Sequence, residues 1–530
     1  MQLSDRINSD ADMTPTSWQE RCLAVQSEFG WFLAAIEGLR PAPLVDRAFI
    51  RALDECWIQP ESLVWPVVRY LTAKWPRALS GVAVAGEPQL FAVVCDPLLL
   101  KLLQRTPALT PGLDTLLARV RCGALRRIME HGDIDALVPT LTALAIRGWH
   151  SGYALTLPLE PRHEADHAQE ATLVAELGRD LEESKREGRD LVAALAVYAA
   201  YAPPEPDHLT AALATGDPAV KVIEQNVTAP RLRQREIARS LEPVTGLDPS
   251  SRKVADQYEA HPYPSWIGQP AHSVRLPEPV RLALGPGGPE AVRSVLVAGC
   301  GTGEHAAVAA RAWPRADILA IDISRTSLAY AIDRLQARTG DRIRFELADL
   351  LEIGQLGRRF QVIESMGVLH HLADPEAGLR ALTSVLEPGG IIGVGLYSAA
   401  ARTKLAAVGS RFDKEEMQSD EAVRRFRAWA LAELKAPEML YSPDFYSIGG
   451  CRDAFFHVRE HCYSLEQVGE MLDRAGLTLL AVQTPPMARE RLASVPEPAD
   501  LAGWAAAERA YNDLFLSMYE VWAQAAQRPE

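Results

Sequence analysis

The stretch Val295-Leu296-Val297-Ala298-Gly299-Cys300-Gly301-Thr302-Gly303-Glu304-His305 constrains the fold more than any other part of the chain. It reads as a buried strand emptying into a glycine turn that opens a helix. Without a Cβ, Gly299, Gly301 and Gly303 allow a sharp turn, positive φ and close approach of backbone to a ligand. The spacing G-x-G-x-G runs straight into the small-residue helix around Ala306 to Ala310. It differs from the dinucleotide fingerprint G-x-G-x-x-G, whose longer loop admits a pyrophosphate at the helix N-terminus. A ligand without phosphate suits this loop better.

The elements that follow extend the motif in order. Asp317 to Asp322 is a second apolar strand ending in a carboxylate, and an acid at that edge can accept hydrogen bonds from both hydroxyls of a ribose. An amphipathic helix from about Arg325 to Arg338 leads to a third strand, Ile343 to Leu347, which ends at Ala348-Asp349-Leu350. Asp349 sits where an adenine edge would lie. A fourth strand, Phe360 to Glu364, empties into Ser365-Met366-Gly367-Val368-Leu369-His370-His371-Leu372, and a fifth runs from Ile391 to Tyr397. Alternation of strand and helix with short loops predicts a parallel sheet covered on both faces.

Five elements at this order and spacing make residues 294–398 resemble the core of class I S-adenosylmethionine-dependent methyltransferases. The fold implied is a Rossmann-like α/β domain of seven strands, here preceded by an all-α N-terminal domain. The resemblance implies that Gly299, Cys300, Gly301 and Gly303 line the methionine and ribose portion of S-adenosylmethionine. It further implies that Asp322 with Ile323 holds the ribose, that Asp349 with Leu350 binds the adenine, and that Glu364 to His370 border the methyl-donor face. One departure stands out. The family places an acid two residues before the first glycine, where this chain has Val297, so polar anchoring at the methionine end must come from elsewhere.

At 530 residues the chain exceeds the roughly 200 to 250 of such a core, which predicts at least one further domain. Residues 1–235 read as a helical accessory domain for docking or dimerisation. Segments such as Trp18 to Glu37, Asp96 to Thr106 and Gly112 to Gly132 carry apolar residues at three- and four-residue spacing. The run Asp96 to Pro107 resembles the helical region before the core in a bacterial methyltransferase group often fused to tetratricopeptide repeats, although no repeat is evident here. Net charge of −14 argues against a nucleic-acid surface. The odd, scattered set Cys22, Cys56, Cys95, Cys122, Cys300, Cys451 and Cys462 lacks a C-x-x-C pair, which favours reduced thiols in a cytoplasm over a disulfide framework. The longest apolar segment, Val192 to Ala202, is too short to span a bilayer.

Two clusters flank the core. A linker rich in proline and charge from about Pro203, with residues 236–293 as linker and strap, leads to Tyr258-Glu259-Ala260-His261-Pro262-Tyr263-Pro264-Ser265-Trp266, where alternate prolines predict an extended strap. Tyr258 and Tyr263 are expected to wall the cofactor or the acceptor, with stapling of domains as the plainer alternative, favoured for Trp266. Residues 399–463 form a helical insert followed by Tyr441 to Ser447 and Cys451 to His461, a polar and aromatic stretch suited to an acceptor pocket. Both clusters resemble the same bacterial group. Tyr446, Arg452 and His461 are expected to act on the acceptor. His457 and His461 would share a face only if that segment were helical, and with no third ligand evident no metal is expected. Residues 464–530 are expected to complete the sheet, with Gly476 to Val482 as the sixth strand; the resemblance implies an antiparallel seventh, for which Ser517 to Ala523 is the candidate and a continued helix around Trp504 to Leu514 the competing reading.

The function implied is methyl transfer to a protein, peptide or small-molecule nucleophile at nitrogen or oxygen. A base is needed only for an acceptor that arrives protonated, and His370, His371 and His461 are the candidates, His370 first because it follows the fourth strand. The alternative is a cofactor-sensing or scaffold protein with a non-catalytic methyltransferase fold.

Overall fold

The computed structural model describes residues 41–55, 60–76, 88–153, 164–268, 276–434, 437–440, 442–485 and 488–526. The expected helix Trp18 to Glu37, Cys22, Cys56 and Tyr441 lie outside them. Those up to Thr106, with Ile267 and Gly268, form one compact unit, and those of 107–266 and from 276 onward form a second.

The first unit is helical, with helices Pro43–Glu55, Pro60–Lys74, Pro88–Val94 and Pro97–Arg105. Each opens on proline, whose missing N–H is unneeded in a first turn. The Asp96 carboxylate caps the last of them by accepting the amide of Leu98 at 2.9 Å.

The second unit holds one seven-stranded sheet in the order β3-β2-β1-β4-β5-β7-β6. Its strands are β1 Ser294–Ala298, β2 Asp317–Asp322, β3 Ile343–Leu347, β4 Phe360–Met366, β5 Leu386–Tyr397, β6 Leu477–Val482 and β7 Met518–Ala525. The first five pair in parallel, and β7 is antiparallel to both β5 and β6. Leu296, Ile321, Ile363 and Ile392 meet helix residues such as Leu379 and Leu472 in the core. The helix Leu465–Arg474 starts at Ser464, whose side chain forms a reciprocal capping box with Gln467. Strand order reverses beside β1, so the C-terminal ends of β1 and β4 diverge and leave the crevice where open α/β sheets bind ligands.

Two regions differ from expectation. The stretch expected as a linker from Pro203 contains helices Pro206–Leu213, Pro218–Ile223 and Ala229–Ser240. Their prolines sit in the first turn, where they start helices rather than break them. The strap begins later than expected. Tyr258 lies on the helix Arg252–Ala260, because the prolines that forbid a helix start only at Pro262. Within the same unit, the buried Asp114 on the helix Pro111–Met129 accepts from Arg147 at 2.7 Å and from Arg427 at 3.3 Å. Arg427 belongs to the helix Asp420–Glu433 of the insert, so helices preceding the sheet and the insert following β5 share a buried ion network. No helix of the described residues is long and apolar enough to cross a membrane.

Candidate functional site

A cavity of about 1000 Å³ opens over the C-terminal ends of β1, β2 and β4 and continues under the strap and the insert. Nine residues expected around the cofactor line it: Tyr258, Tyr263, Gly299, Cys300, Gly301, Asp322, Ile323, Asp349 and Leu350. Gly303 and Glu364 do not. Of the residues expected to handle the acceptor, His371 alone lines it, and His370, His461, Tyr446 and Arg452 lie outside.

In the first half of the cavity the backbone does most of the positioning. Gly299, Gly301 and Gly303 all adopt positive φ, at 75°, 52° and 87°. A Cβ on Gly301 would stand 2.6 Å from the carbonyl oxygen of Tyr263, and one on Gly299 would stand 2.4 Å from Val368. These glycines therefore let the strap and the loop after β4 close onto the turn. Asp322 ends β2 with one carboxylate oxygen accepting the Gly301 amide at 2.8 Å and the other the Ser324 amide at 2.9 Å. Burial raises its pKa to about 6 against the opposing effect of those amides. Asp349 accepts the amides of Leu351 and Asp248 at 2.9 and 3.0 Å, and its own amide donates to Thr245. Each oxygen of the two carboxylates keeps acceptor capacity beyond these bonds.

A carboxylate, Glu364, stands beside Val297 on the neighbouring strand. The two residues are register partners on β4 and β1, and the buried Glu364 carboxylate accepts from Trp313 Nε1 and pairs with His305 Nε2. His305 lines the cavity with its side chain 28% exposed. Burial alone would lower its pKa, but the Glu364 charge prevails and raises it. The acid thus acts from the neighbouring strand through an imidazole, a relation that the spacing around Gly299 could not reveal.

The second half is built from side chains far apart in sequence. Tyr258 Oη donates to Asp453 at 2.8 Å, Tyr397 Oη to the other oxygen of Asp453 at 3.0 Å, and Tyr263 Oη to Asp444 at 2.8 Å. Burial, reinforced by these carboxylates, raises all three phenols. Asp444, Asp453 and Tyr397 were not singled out from the sequence, and their only signal was the polar and aromatic density of their segments. His371 Nδ1 donates to the Arg459 carbonyl at 2.9 Å, which leaves Nε2 with a free lone pair 3.9 Å from Asp453. Burial holds His371 below the ordinary imidazole range.

His371, Asp453 and His457 bring possible ligand atoms within 4.8 Å of one another. Their hydrogen bonds do not suit a metal. The Arg459 amide donates to His457 Nδ1 at 3.0 Å, so Nε2 of the neutral ring carries the proton and donates to Tyr258 at 3.2 Å. That ring offers no free nitrogen, and the group forms a relay from His457 through Tyr258 to Asp453.

The remaining expected residues have structural surroundings. His370 stacks on Tyr397 at 3.8 Å, fully buried with neither ring nitrogen hydrogen-bonded. His461 Nε2 bonds the Leu372 carbonyl at 3.1 Å, and its amide the His370 carbonyl. The helix Ile448–Phe455 ends before His457, so His457 and His461 do not share a helical face. Arg452 pairs with Asp420 at 2.9 Å, and Tyr446 Oη donates to the Leu440 carbonyl at 2.9 Å. Trp266 Nε1 donates to the Thr302 carbonyl at 3.0 Å and its ring packs with Ala307 and Leu335.

Residues 295–390 match the family described as a methyltransferase domain. An uncharacterised protein of Synechococcus sp. is 40% identical over 166 residues, which are 30% of this chain and 40% of that protein. Trans-aconitate 2-methyltransferase of Deinococcus radiodurans is 33% identical over 120 residues, 22% of this chain and 44% of the relative. The 27-O-demethylrifamycin SV methyltransferase of Amycolatopsis mediterranei is 36% identical over 98 residues, 18% and 36% of the two chains. The chain spans less than half the length of these curated relatives. Among solved structures, PKMT2 from Rickettsia typhi in complex with AdoHcy aligns with a TM-score of 0.35 and 14% identity over 45% of this chain and 50% of that one. The chain carries a methyltransferase domain behind a helix-rich N-terminal region.

Proposed function

We propose that the chain is an S-adenosylmethionine-dependent methyltransferase whose donor and acceptor share one cavity. The observation that carries this reading is the pair of strand-end carboxylates, Asp322 and Asp349, flanking a glycine turn in a cavity that runs on into a second, polar half. Their remaining lone pairs match a ribose diol and an adenine amino group. His305, backed by Glu364, faces the same half and suits the amino-acid end of the donor. When bound, that donor supplies an activated methyl group on a sulfonium. The chain has only to align the acceptor, exclude water and receive a proton where the acceptor carries one.

His371 Nε2 is the group placed to receive it. His371 lines the cavity, and its tautomer is fixed by the Arg459 carbonyl. Acceptors small enough for the cavity, or a side chain presented into it, suit the enclosed walls. Calorimetry with S-adenosylhomocysteine and turnover of labelled S-adenosylmethionine on a fractionated lysate test the reading. Saturable binding with label transferred to a lysate component is expected. Binding without transfer to any fraction would leave only the donor half of the proposal standing.

A further inference from the structure

The acceptor half contains two carboxylates, Asp444 and Asp453, that hold no direct ion pair with a lysine or arginine among the described residues. Asp453 is buried and takes two phenolic hydrogen bonds, while the partly buried Asp444 takes one from Tyr263 and a longer one from Ser442 at 3.4 Å. The basic partner of Asp453 is His371, which burial keeps neutral. The cations that face the cavity are engaged elsewhere. Arg402 is paired with Glu460 and also bonds the Ala454 carbonyl, Arg459 donates to the Ser250 carbonyl, and Lys404 is exposed. Arg402 lies within electrostatic reach of both carboxylates, but its ion pair goes to Glu460. A charge without a direct partner in such surroundings is expensive, and burial, reinforced by the nearby Asp453 charge, pushes Asp444 up to about 6.

A second, independent feature points the same way. His371 is buried and lines the cavity, yet its Nε2, 3.9 Å from Asp453, makes no hydrogen bond. The wall around these polar groups also carries apolar side chains, Leu405, Met439 and Phe455. The site therefore combines negative charge, a proton acceptor and a greasy enclosure.

The geometry points to an amine with an apolar body as the methyl acceptor, held as its ammonium form by Asp444 and Asp453. This rests on the methyltransferase reading above and specifies its substrate class. The ammonium must lose one proton before it can react, and His371 Nε2 receives it, the resulting imidazolium being held by Asp453. The nitrogen lone pair then forms the N–C bond as the donor's C–S bond breaks, and the bonding pair leaves with sulfur. The product is a methylated ammonium and a neutral thioether, so charge and atoms balance.

The test uses the full chain saturated with S-adenosylhomocysteine and three probes of similar shape: 2-phenylethylamine, 2-phenylethanol and phenylacetate. Calorimetry should show the amine binding at least about tenfold more tightly than the alcohol, with phenylacetate weakest, a preference of the size expected for charge-assisted hydrogen bonds. In Asp444→Asn and Asp453→Asn the preference should shrink to about twofold or less, with thermal melts showing that each variant is folded. The wild-type comparison stands alone if a variant fails to fold. An amine with no advantage over the alcohol, including no binding by either, overturns the inference, as does a preference that survives in both folded variants. Failure of the wild-type chain to bind S-adenosylhomocysteine would instead strike the donor assignment, and the amine comparison would then be read without it.

Discussion

The two halves of the cavity solve the problem of holding a ligand by different means. In the half assigned to the donor, strand ends and backbone amides fix Asp322 and Asp349: Gly301 and Ser324 serve the first, and Leu351 with Asp248, from the segment before the sheet, serve the second. In the acceptor half, Tyr258 and Tyr263 reach across roughly 180 to 200 positions to Asp453 and Asp444, and side-chain hydrogen bonds do the positioning. A backbone-built site is tied to the fold and changes little without breaking it. A side-chain-built site can change specificity while the sheet stays intact. The Tyr263 segment joins the two, with its carbonyl over Gly301 and its phenol on Asp444.

The largest effect should come from breaking that junction. Gly301→Val places a branched side chain at φ 52° and drives its Cβ into the Tyr263 carbonyl, so the turn and the strap cannot both keep their positions. Binding of S-adenosylhomocysteine should fall below detection by calorimetry, and the amine preference should vanish with it. Near-normal affinity in a folded Gly301→Val protein would show that the halves are independent.

Asp322→Ala tests the donor half alone. If Asp322 receives the ribose hydroxyls as proposed, its removal should weaken S-adenosylhomocysteine by about 1.5 to 3 kcal/mol, the range for hydrogen bonds to a charged group, and leave the amine preference unchanged. Equal affinity of variant and wild type would remove the ribose assignment.

The difference between the halves also explains what could be read from the sequence. Strands β1 to β6, the carboxylates at the ends of β2 and β3 and the Ser464 cap were legible because each depends on local pattern: an apolar run, a turn, a polar residue at a fixed offset. The antiparallel β7 near Ser517 to Ala523 was expected from the resemblance rather than from local pattern, which left a continued helix open. The placing of Glu364 beside Val297 was not legible, because register between β1 and β4 pairs residues 67 positions apart. Nor was the choice among His370, His371 and His461. Three histidines in polar company look alike until burial puts His370 under Tyr397 and a carbonyl occupies His461. Proline misled in one respect, since its effect depends on whether it stands in the first turn of a helix or beyond it.

Opposite pH responses sharpen the contrast further. His305 in the donor half has a raised pKa, so the folded state holds its proton more tightly than the unfolded chain does. Its stabilising contribution is complete below about pH 6.5, the ordinary imidazole value, and is lost as pH rises through the raised value. His371 and His457 in the acceptor half are lowered by burial, so the unfolded chain takes up protons that the folded state refuses, and stability falls as pH drops below about 6.5. Melting curves across this range should show His305→Gln flattening the alkaline limb only. Above about pH 7, where Asp322 with its pKa of about 6 is already ionised, the affinity for S-adenosylhomocysteine should decline with rising pH in the wild type, by roughly tenfold at most, and be flat in His305→Gln. A decline that persists in the variant would assign the titration to another group.

The smallest effect belongs to a residue whose chemistry looks catalytic and whose position does not. Tyr446 sits beside Phe445 in the same aromatic segment as Asp444, yet it is fully buried outside the cavity and its hydroxyl donates to the Leu440 carbonyl at 2.9 Å. Its ring lies 5.6 Å from the Arg427 guanidinium, within the network that links the insert to Asp114. Tyr446→Phe therefore removes one buried hydrogen bond, at a stability loss of about 0.5 to 1.5 kcal/mol. Urea denaturation should register that loss, while affinity for S-adenosylhomocysteine and the preference for 2-phenylethylamine should stay within about twofold of wild type, a change under about 0.4 kcal/mol. The reverse outcome, unchanged stability with a lost amine preference, would mean that the acceptor reaches past Asp444 to Tyr446. The boundary between a side-chain-built site and its supporting core would then lie one layer deeper in the insert.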